Sequence, residues 1–227
     1  MRFAHERILA LTLGGMLLVP PMLSQGYFLD PLSEASDRVA EMLTPTAGDA
    51  VPAEPRIVAD RELANRARAL LERSGEIPPP AAELLPSISY ARDAAVRHGV
   101  PVSIVLAVIH HESRFQERAV SPMGAVGLMQ VQPATARAVA RDQGLPAPRR
   151  ADLMEPETNI EIGVALLRAL KDEYGSWDRA LAVYNAGPAG IAGGGIRADV
   201  GPYVRGVKRG AKFLSSPPAP GEAGGSA

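Results

Sequence analysis

An apolar segment in the middle of the chain places the strongest constraint on how this sequence can fold. From Val102 to Ile109 every residue except Ser103 is apolar. Pro101 precedes the segment, and proline suits the first turn of a helix. A helix that is apolar on all sides has to be buried inside a domain. The segment therefore predicts a central buried helix, and two histidines separate it from Glu112.

Apolar residues at helical spacing predict further helices on both sides of this segment. Ser87 or Ser89 is a candidate cap for one of them, and Gly99 and Gly175 are typical stops after two. No regular strand alternation is present, so we predict a mainly α fold. Residues 187–195 are rich in glycine and predict a flexible loop. The predicted helices span residues 57–73, 87–98, 134–143, 159–174, 177–184 and 203–214.

The two ends of the chain differ in composition from its centre. Arg2 and Arg7 make the first residues basic, and an apolar run of twelve residues follows from Ile8 to Val19. Secretory signals have this arrangement. The run is shorter than the roughly 20 residues that a transmembrane helix needs. We predict a signal peptide or membrane anchor over residues 1–25, a linker with short helices over 26–84, the folded domain over 85–214 and a disordered tail over 215–227.

Charge and cysteine content exclude several classes of function. Residues 85–213 contain 16 Lys and Arg against 12 Asp and Glu, a net charge of +4. This charge is consistent with an anionic polymer as partner but is too small to predict nucleic-acid binding. The chain has no cysteine, which excludes disulfides and thiol catalysis. His110 and His111 are neighbours on a helix and point about 100° apart, so we predict no metal site there.

Glu112 is the first candidate for chemistry. Its position directly after the buried segment places its carboxyl group near the domain interior, where burial raises the pKa of a carboxyl group. A carboxylic acid that stays protonated near neutral pH can protonate the leaving oxygen of a glycosidic bond. The alternative is a helix-end glutamate that forms an ion pair with Arg114 or Arg118, and Glu112 alone does not decide between them.

Two later segments add polar groups next to glycines. The segment from Ser121 to Pro133 is a Gly-rich loop, and glycine lets a backbone approach a ligand closely. Gln130 in this loop carries both a donor and an acceptor for a sugar. The segment Ala182–Gly187 contains Tyr184 and Asn185 just before another glycine turn. Each segment alone is a weak signal, because such loops are usually only turns.

Four motifs, taken in their order along the chain, resemble those of the family 1 lytic transglycosylases. The family pattern is a Glu-Ser after an apolar helix, a Gly-Leu-Met-Gln loop, an Asn-Ile-x-x-Gly helix and an Ala-x-Tyr-Asn-Ala-Gly segment. The resemblance covers about residues 85–213 and implies a lysozyme-like helical domain with flexible N- and C-terminal extensions. The four motifs here are Glu112-Ser113, Gly127-Leu-Met-Gln130, Asn159-Ile-Glu-Ile-Gly163 and Ala182-Val-Tyr-Asn-Ala-Gly187.

The resemblance also implies roles for single residues. Glu112 is expected to be the only catalytic acid and base, and Ser121 to hydrogen-bond near it or to the sugar. Gln130 is expected to line the cleft, Tyr184 to lie beside the catalytic carboxyl group, and Asn185 to support that group or the sugar. Neither a cofactor nor a metal is implied.

Two positions depart from the family pattern. The family has an acidic residue in a Glu-Thr pair before a Tyr-Val, and here Asp199-Val200 precedes Tyr203-Val204. A role for Asp199 therefore does not follow from the resemblance. Gln132 stands where many members have a methionine, and it is expected to change at most a sugar contact.

The implied reaction is the cleavage of peptidoglycan between N-acetylmuramic acid and N-acetylglucosamine, with formation of 1,6-anhydro ends. The expected place is the periplasm or cell envelope, and the expected partners are peptidoglycan strands and an envelope secretion or conjugation apparatus. A monomer that does not bind nucleic acid is expected. Two alternatives stay open: a hydrolytic muramidase, which needs a second carboxylate such as Asp152, Glu155 or Glu157, and a non-catalytic peptidoglycan-binding scaffold.

Overall fold

The apolar segment forms the central helix of the fold. The computed structural model describes residues 53–216, and within this range the segment becomes helix α3, Val102–Ser113. Residues 105–110 of α3 are all buried, as expected for a helix that is apolar on all sides. The predicted signal or anchor over 1–25 lies outside the described residues, as do the early part of the predicted linker and the predicted tail beyond residue 216.

Helices make up most of the described structure, which confirms the prediction of a mainly α fold. Short 3₁₀ turns lie at Asp152–Met154 and Pro188–Gly190. Within residues 53–216, the helices in chain order are α1 (Ala53–Arg73), α2 (Ala81–His98), α3 (Val102–Ser113), α4 (Pro133–Asp142), α5 (Pro156–Tyr174), α6 (Trp177–Ala186) and α7 (Gly201–Ser215).

Helix α2 begins six residues earlier than the predicted start at Ser87. It starts at Ala81, directly after Pro80, whose ψ of 143° ends the extended proline segment. Pro86 lies inside the helix, although a proline more often marks a helix boundary. Ser87 is therefore not a cap: it is buried, and its hydroxyl donates a 3.2 Å hydrogen bond to Glu117. The predicted stop at Gly99 is confirmed, since Gly99 has a left-handed backbone and caps the helix.

Helix α1 shows that the packed core begins upstream of residue 85. Ala64, Ala67 and Leu71 on this helix are at most 1% exposed and belong to the same apolar core as α3. The Arg66 guanidinium donates a 2.8 Å hydrogen bond to the carbonyl oxygen of Leu214, and a cation near a helix C-terminus is stabilising. The predicted linker with short helices over 26–84 therefore includes the helix Ala53–Arg73, which packs against α2, α3 and α7.

The segment predicted as a Gly-rich loop contains a small hairpin. Strands β1 (Ile191–Ala192) and β2 (Gly195–Ile196) pair antiparallel. Gly193 and Gly194 form the two-residue turn with φ values of 57° and 81°, a geometry that favours glycine at both positions. Four residues of pairing are too few for an alternating pattern to indicate strands.

Helix α7 packs against α3, and two glycines on α7 permit the close contact. A Cβ at Gly210 would lie 3.3 Å from the Cβ of Ala107. A Cβ at Gly206 would lie 2.5 Å from the His111 ring, which is closer than atoms can approach. The packing brings the last turn of α3, which carries Glu112, against the first turn of α7. Over residues 53–216, none of the helices has the length and apolarity that crossing a bilayer requires.

Candidate active site

Glu112 lies in the last turn of α3 with its side chain partly buried. The helix ends immediately afterwards, because Arg114 adopts a left-handed backbone with a φ of 54°. Burial raises the pKa of Glu112 above its ordinary value of 4.5, and a hydrogen bond from Tyr203 acts in the opposite direction. The raised pKa keeps more of this carboxyl group protonated than an exposed glutamate would be.

The ion-pair alternative for Glu112 is wrong. The Arg114 guanidinium instead donates a 2.6 Å hydrogen bond to the carbonyl oxygen of His110 and pairs with Glu76 at 3.4 Å. Within the described part of the chain, neither Arg114 nor Arg118 contributes to the pKa shift of Glu112. Glu112 is therefore a partly buried acid without a cationic partner among residues 53–216, which suits proton transfer more than stabilisation of the fold.

Tyr203 contacts Glu112 directly, and its role was missed in the sequence. Its hydroxyl donates a 2.7 Å hydrogen bond to Oε1 of Glu112. Burial raises the pKa of Tyr203 well above 10, and the charge of Glu112 acts in the same direction, so the phenol keeps its proton and remains a donor. The signal was present: Tyr203-Val204 is the pair that follows the family's late acidic residue.

Tyr184 belongs to the same cluster. Its hydroxyl donates a 2.7 Å hydrogen bond to the carbonyl oxygen of Met129. Burial raises its pKa well above 10, and the charge of Glu112 contributes to the shift. The charge of Tyr184 in turn raises the pKa of Tyr203. The structure thus brings Glu112, Tyr184 and Tyr203 together from α3, α6 and α7.

The Gly-rich loop is held in an ordered conformation by its own hydrogen bonds. Val126 forms bridges with both Val120 and Val131. Gln130 has a φ of 48°, and its side-chain amide donates to the carbonyl oxygens of Ala119 at 3.1 Å and Gly127 at 2.8 Å. Both amide hydrogens of Gln130 thus hold the loop, which leaves its side-chain oxygen as the group that can accept from a sugar hydroxyl.

Ser121 closes the first turn of this loop. Its hydroxyl oxygen accepts a 3.0 Å hydrogen bond from the backbone N–H of Ala125. The structure records this bond in place of one to Glu112. The hydroxyl hydrogen of Ser121 is not used by the bond and can still be donated to a ligand.

Asn159 fixes the loop to α5 and was seen in the sequence only as part of a motif. The side chain is fully buried. Its oxygen accepts from the N–H of Met129 at 2.8 Å, and its nitrogen donates to the carbonyl oxygens of Val126 at 2.8 Å and Leu153 at 2.9 Å. A Cβ at Gly127 would lie 2.3 Å from the Asn159 amide. An amide on the apolar face of a predicted helix was the available signal, because a buried amide needs partners.

Residues 89–193 match the family model described as the transglycosylase SLT domain. This range contains Glu112, the Gly-rich loop and Tyr184. Over these residues the chain is similar to the family 1 lytic transglycosylases. The family resemblance predicted from the four motifs is confirmed by this match and by the relatives that follow.

Curated relatives of this chain come from several bacteria. Membrane-bound lytic murein transglycosylase C of Histophilus somni (strain 2336) is 45% identical over 85 residues, which are 37% of this chain and 23% of that protein. The soluble lytic murein transglycosylase of Escherichia coli (strain K12) is 36% identical over 95 residues, which are 40% of this chain and 15% of that protein. The chain therefore aligns with less than a quarter of either relative.

Solved structures of lytic transglycosylases share the fold. Lytic transglycosylase Slt of Pseudomonas aeruginosa, in an inactive mutant with glutamine in place of a glutamate, has a TM-score of 0.50 and 28% identity over 56% of this chain and 23% of that one. The 70-kDa soluble lytic transglycosylase in complex with bulgecin A has a TM-score of 0.50 and 27% identity over 55% of this chain and 23% of that one. The domain is thus lysozyme-like and helical.

Two further residues singled out in the sequence, Asn185 and Asp199, are exposed. Asn185 is exposed at the end of α6, and the structure records no hydrogen bond from it to Glu112. Asp199 is exposed and binds Arg197, whose Nε lies 2.8 Å from its Oδ1. Arg197 lowers the pKa of Asp199, so this carboxylate is an ionised surface group.

The three acids considered as second carboxylates have no recorded interaction with Glu112. Asp152 pairs with Arg149 at 2.8 Å, and Glu155 and Glu157 are exposed. Among the described residues, only burial and Tyr203 are causes of the pKa shift of Glu112. The arrangement thus presents one partly buried carboxyl group with two phenols around it. Within residues 53–216 no group of three or more His, Cys, Asp or Glu side chains is placed to hold a metal ion.

Proposed function

We propose that this protein is a peptidoglycan lytic transglycosylase. It cleaves the β-1,4 bond between N-acetylmuramic acid and N-acetylglucosamine and leaves 1,6-anhydro-muramic ends. The observation that supports this most is Glu112, a carboxyl group whose pKa burial raises and whose Oε1 accepts from the Tyr203 hydroxyl at 2.7 Å. The inactivity of a glutamate-to-glutamine mutant of the Pseudomonas relative supports a glutamate as the essential group.

The first step uses the protonated form of Glu112. Its carboxyl group gives its proton to the bridging oxygen, which leaves as the hydroxyl of the departing sugar. Positive charge develops at the anomeric carbon of the muramic residue. The N-acetyl oxygen of that same residue bonds to the carbon and relieves the charge, so a second carboxylate of the protein is not needed.

The second step uses the ionised form. The Glu112 carboxylate takes the proton from the muramic 6-hydroxyl, whose oxygen attacks the anomeric carbon and displaces the N-acetyl oxygen. Closure of the anhydro ring returns Glu112 to its protonated form, so one group acts as acid and then as base. The Tyr203 hydroxyl stabilises the ionised form between the two steps, because a hydrogen bond to a charged group favours the charge.

Polar groups around Glu112 are suited to holding the sugar. The Gln130 oxygen and the Ser121 hydroxyl hydrogen remain available after their loop hydrogen bonds are made. Tyr184 supports the loop through the Met129 carbonyl. Asn185, exposed beside this cluster, contacts the glycan rather than the carboxyl group.

The place and partners follow from the same proposal. We place the protein in the cell envelope, exported by the N-terminal segment or anchored by it, where it acts on peptidoglycan as a monomer. Its transglycosylase motifs lie within the predicted domain over residues 85–214, and α1 packs onto the core of that domain. An envelope-spanning secretion or conjugation apparatus is the proposed recruiting partner.

Digestion of purified peptidoglycan tests the activity. Mass spectrometry of the products should show muramic ends that are one water lighter than hydrolytic ends, and Glu112→Gln should produce none. Glu157→Gln, which changes an exposed acid, should cut like the wild type. Hydrolytic ends would identify a muramidase instead. Folded wild-type protein that binds the wall without cutting it would identify a scaffold.

A further inference from the structure

His111 lies between two residues of α7. It precedes Glu112 on α3, and its ring lies edge-on to the Tyr203 ring, with centroids 5.6 Å apart and planes at 66°. The same ring also contacts Gly206, one turn further along α7. The imidazole therefore fills the space between the residue that binds Glu112 and the next turn of the same helix.

Gly206 provides the space for this ring. A Cβ at this position would lie 2.5 Å from Cε1 and 2.6 Å from Nε2 of His111. Atoms at those distances overlap, so any larger residue would displace the ring. The imidazole packs directly against the Gly206 backbone, and this close contact orients the ring.

The groups around His111 keep it neutral. Burial is the main cause that lowers the pKa of His111, the charges of Arg114, directly after α3, and of Arg209 on α7 lower it further, and the Gly206 backbone acts in the opposite direction. The His110 ring is also close, with centroids 5.5 Å apart. A neutral ring packs against the Tyr203 ring without adding charge next to Glu112.

We propose that His111 is a positioning residue that holds the Tyr203 hydroxyl against Glu112. Three linked contacts support this: the imidazole packs against Gly206, the imidazole lies edge-on to the Tyr203 ring, and Tyr203 donates its 2.7 Å hydrogen bond to Glu112. His111 acts only through Tyr203 and does not touch the reacting atoms. Its consequence for catalysis rests on the proposed function, whereas its effect on Glu112 does not.

An NMR titration of the Glu112 side-chain carboxyl carbon in the full chain tests the proposal directly. Tyr203→Phe should raise the pKa of Glu112 by about one unit, a tenfold change in proton affinity, because it removes a hydrogen bond that favours the charged form. His111→Ala should shift it in the same direction. In the double variant, His111→Ala should add nothing to the effect of Tyr203→Phe, since the two residues act in series.

Two further variants separate positioning from a general loss of packing. Gly206→Ala displaces the ring, because its Cβ would overlap the imidazole, and should shift the pKa of Glu112 in the same direction as His111→Ala. His110→Gln alters the neighbouring buried histidine, which does not face Tyr203, and should leave the pKa unchanged even where it lowers the melting temperature. If His111→Ala does not fold, the milder His111→Gln and Gly206→Ala give the same comparison.

The proposal is overturned if His111→Ala and Gly206→Ala leave the pKa of Glu112 unchanged, or if the effects of His111 and Tyr203 add in the double variant. Kinetics on peptidoglycan supply a second readout: His111→Ala should lower kcat about tenfold with little change in KM, because substrate does not contact the ring. If the wild type does not cut peptidoglycan, the proposed function fails, and the titration still decides the role of His111.

Discussion

The Tyr203 hydroxyl donates a 2.7 Å hydrogen bond to Oε1 of Glu112, although 91 residues separate the two in the chain. The bond joins the end of α3 to the start of α7. It opposes the effect of burial on the pKa of Glu112, so the proton affinity of the carboxyl group depends on both helices. A group that acts as acid and then as base needs such a balance, since neither form should be strongly favoured.

Tyr203→Phe should destabilise the ionised form of Glu112. Without the phenol the ionised carboxylate loses a donor, so we expect kcat to fall roughly tenfold to a hundredfold. The alkaline limb of the pH–rate profile should move to higher pH, because the pKa of Glu112 rises further. Steady-state kinetics on peptidoglycan between pH 4 and about 9 would measure both changes. An unchanged alkaline limb would contradict the assigned bond.

Glu112→Gln should abolish cleavage and stabilise the fold at neutral pH. The pKa of Glu112 is raised in the folded state, so the folded protein holds this proton more tightly than the unfolded chain does. Stability from this group is therefore present at low pH and is lost as pH rises through the folded pKa. Glutamine remains neutral and avoids that loss. Thermal melts should show a higher Tm for the variant than for the wild type at pH 7, and no difference at about pH 3. A lower Tm of the variant at pH 7 would contradict the prediction.

Local patterns sufficed to predict most of the helices. The run from Val102 to Ile109 predicted a buried helix because apolar residues on every side have no other place in a folded protein. Gly99 and Gly175 marked helix ends because a left-handed backbone favours glycine. The start of α2 could not be predicted in the same way. Ser87 was a candidate cap, but the helix continues through Pro86 back to Ala81, and Leu84 in this first part is buried in the core.

The candidate site was predictable where a motif and a chemical role coincided. Glu112 combined a carboxyl group with a buried helix, and both are local features. Tyr203 needed knowledge of which helix faces the end of α3, which spacing along the chain does not contain. Asn159 looked like one polar residue of a motif, and its role emerged only when the loop folded over it. Long-range packing therefore decided what local patterns left open.

Asn159→Leu should detach the Gly-rich loop. Leucine has a similar volume but leaves the N–H of Met129 and the carbonyl oxygen of Leu153 without partners. The Val126 carbonyl oxygen loses one of its two donors and keeps the N–H of Val131. Each unpaired buried group costs about 1–3 kcal/mol, so we expect a loss of at least about 2 kcal/mol. Urea denaturation monitored by circular dichroism would measure it. Asn185→Leu, at an exposed position, serves as the matched control and should change stability little.

Leu71→Ala tests whether α1 is part of the folded core. The side chain is 1% exposed and packs with the core that includes α3. Truncation of a buried leucine costs about 2–5 kcal/mol, whereas a residue in a flexible linker would cost almost nothing. Denaturant unfolding of the full chain measures the difference. Ile57→Ala, on the same helix but 50% exposed, is the control, and equal small effects of the two changes would place α1 outside the core.

His110 should make the fold sensitive to mild acid. The residue is 4% exposed, its Nε2 lies 3.0 Å from the Ser74 hydroxyl, and burial followed by the charges of Arg114 and His111 lowers its pKa from 6.5 to about 4. The unfolded chain therefore binds a proton more readily than the folded protein does. This contribution to stability is complete above pH 6.5 and is lost as pH falls towards 4, and it amounts to about 3 kcal/mol at most. Unfolding free energies of the wild type and His110→Gln across this range would show the difference between them shrink on acidification. A difference that stays constant with pH would mean that His110 does not titrate in the folded protein in this way.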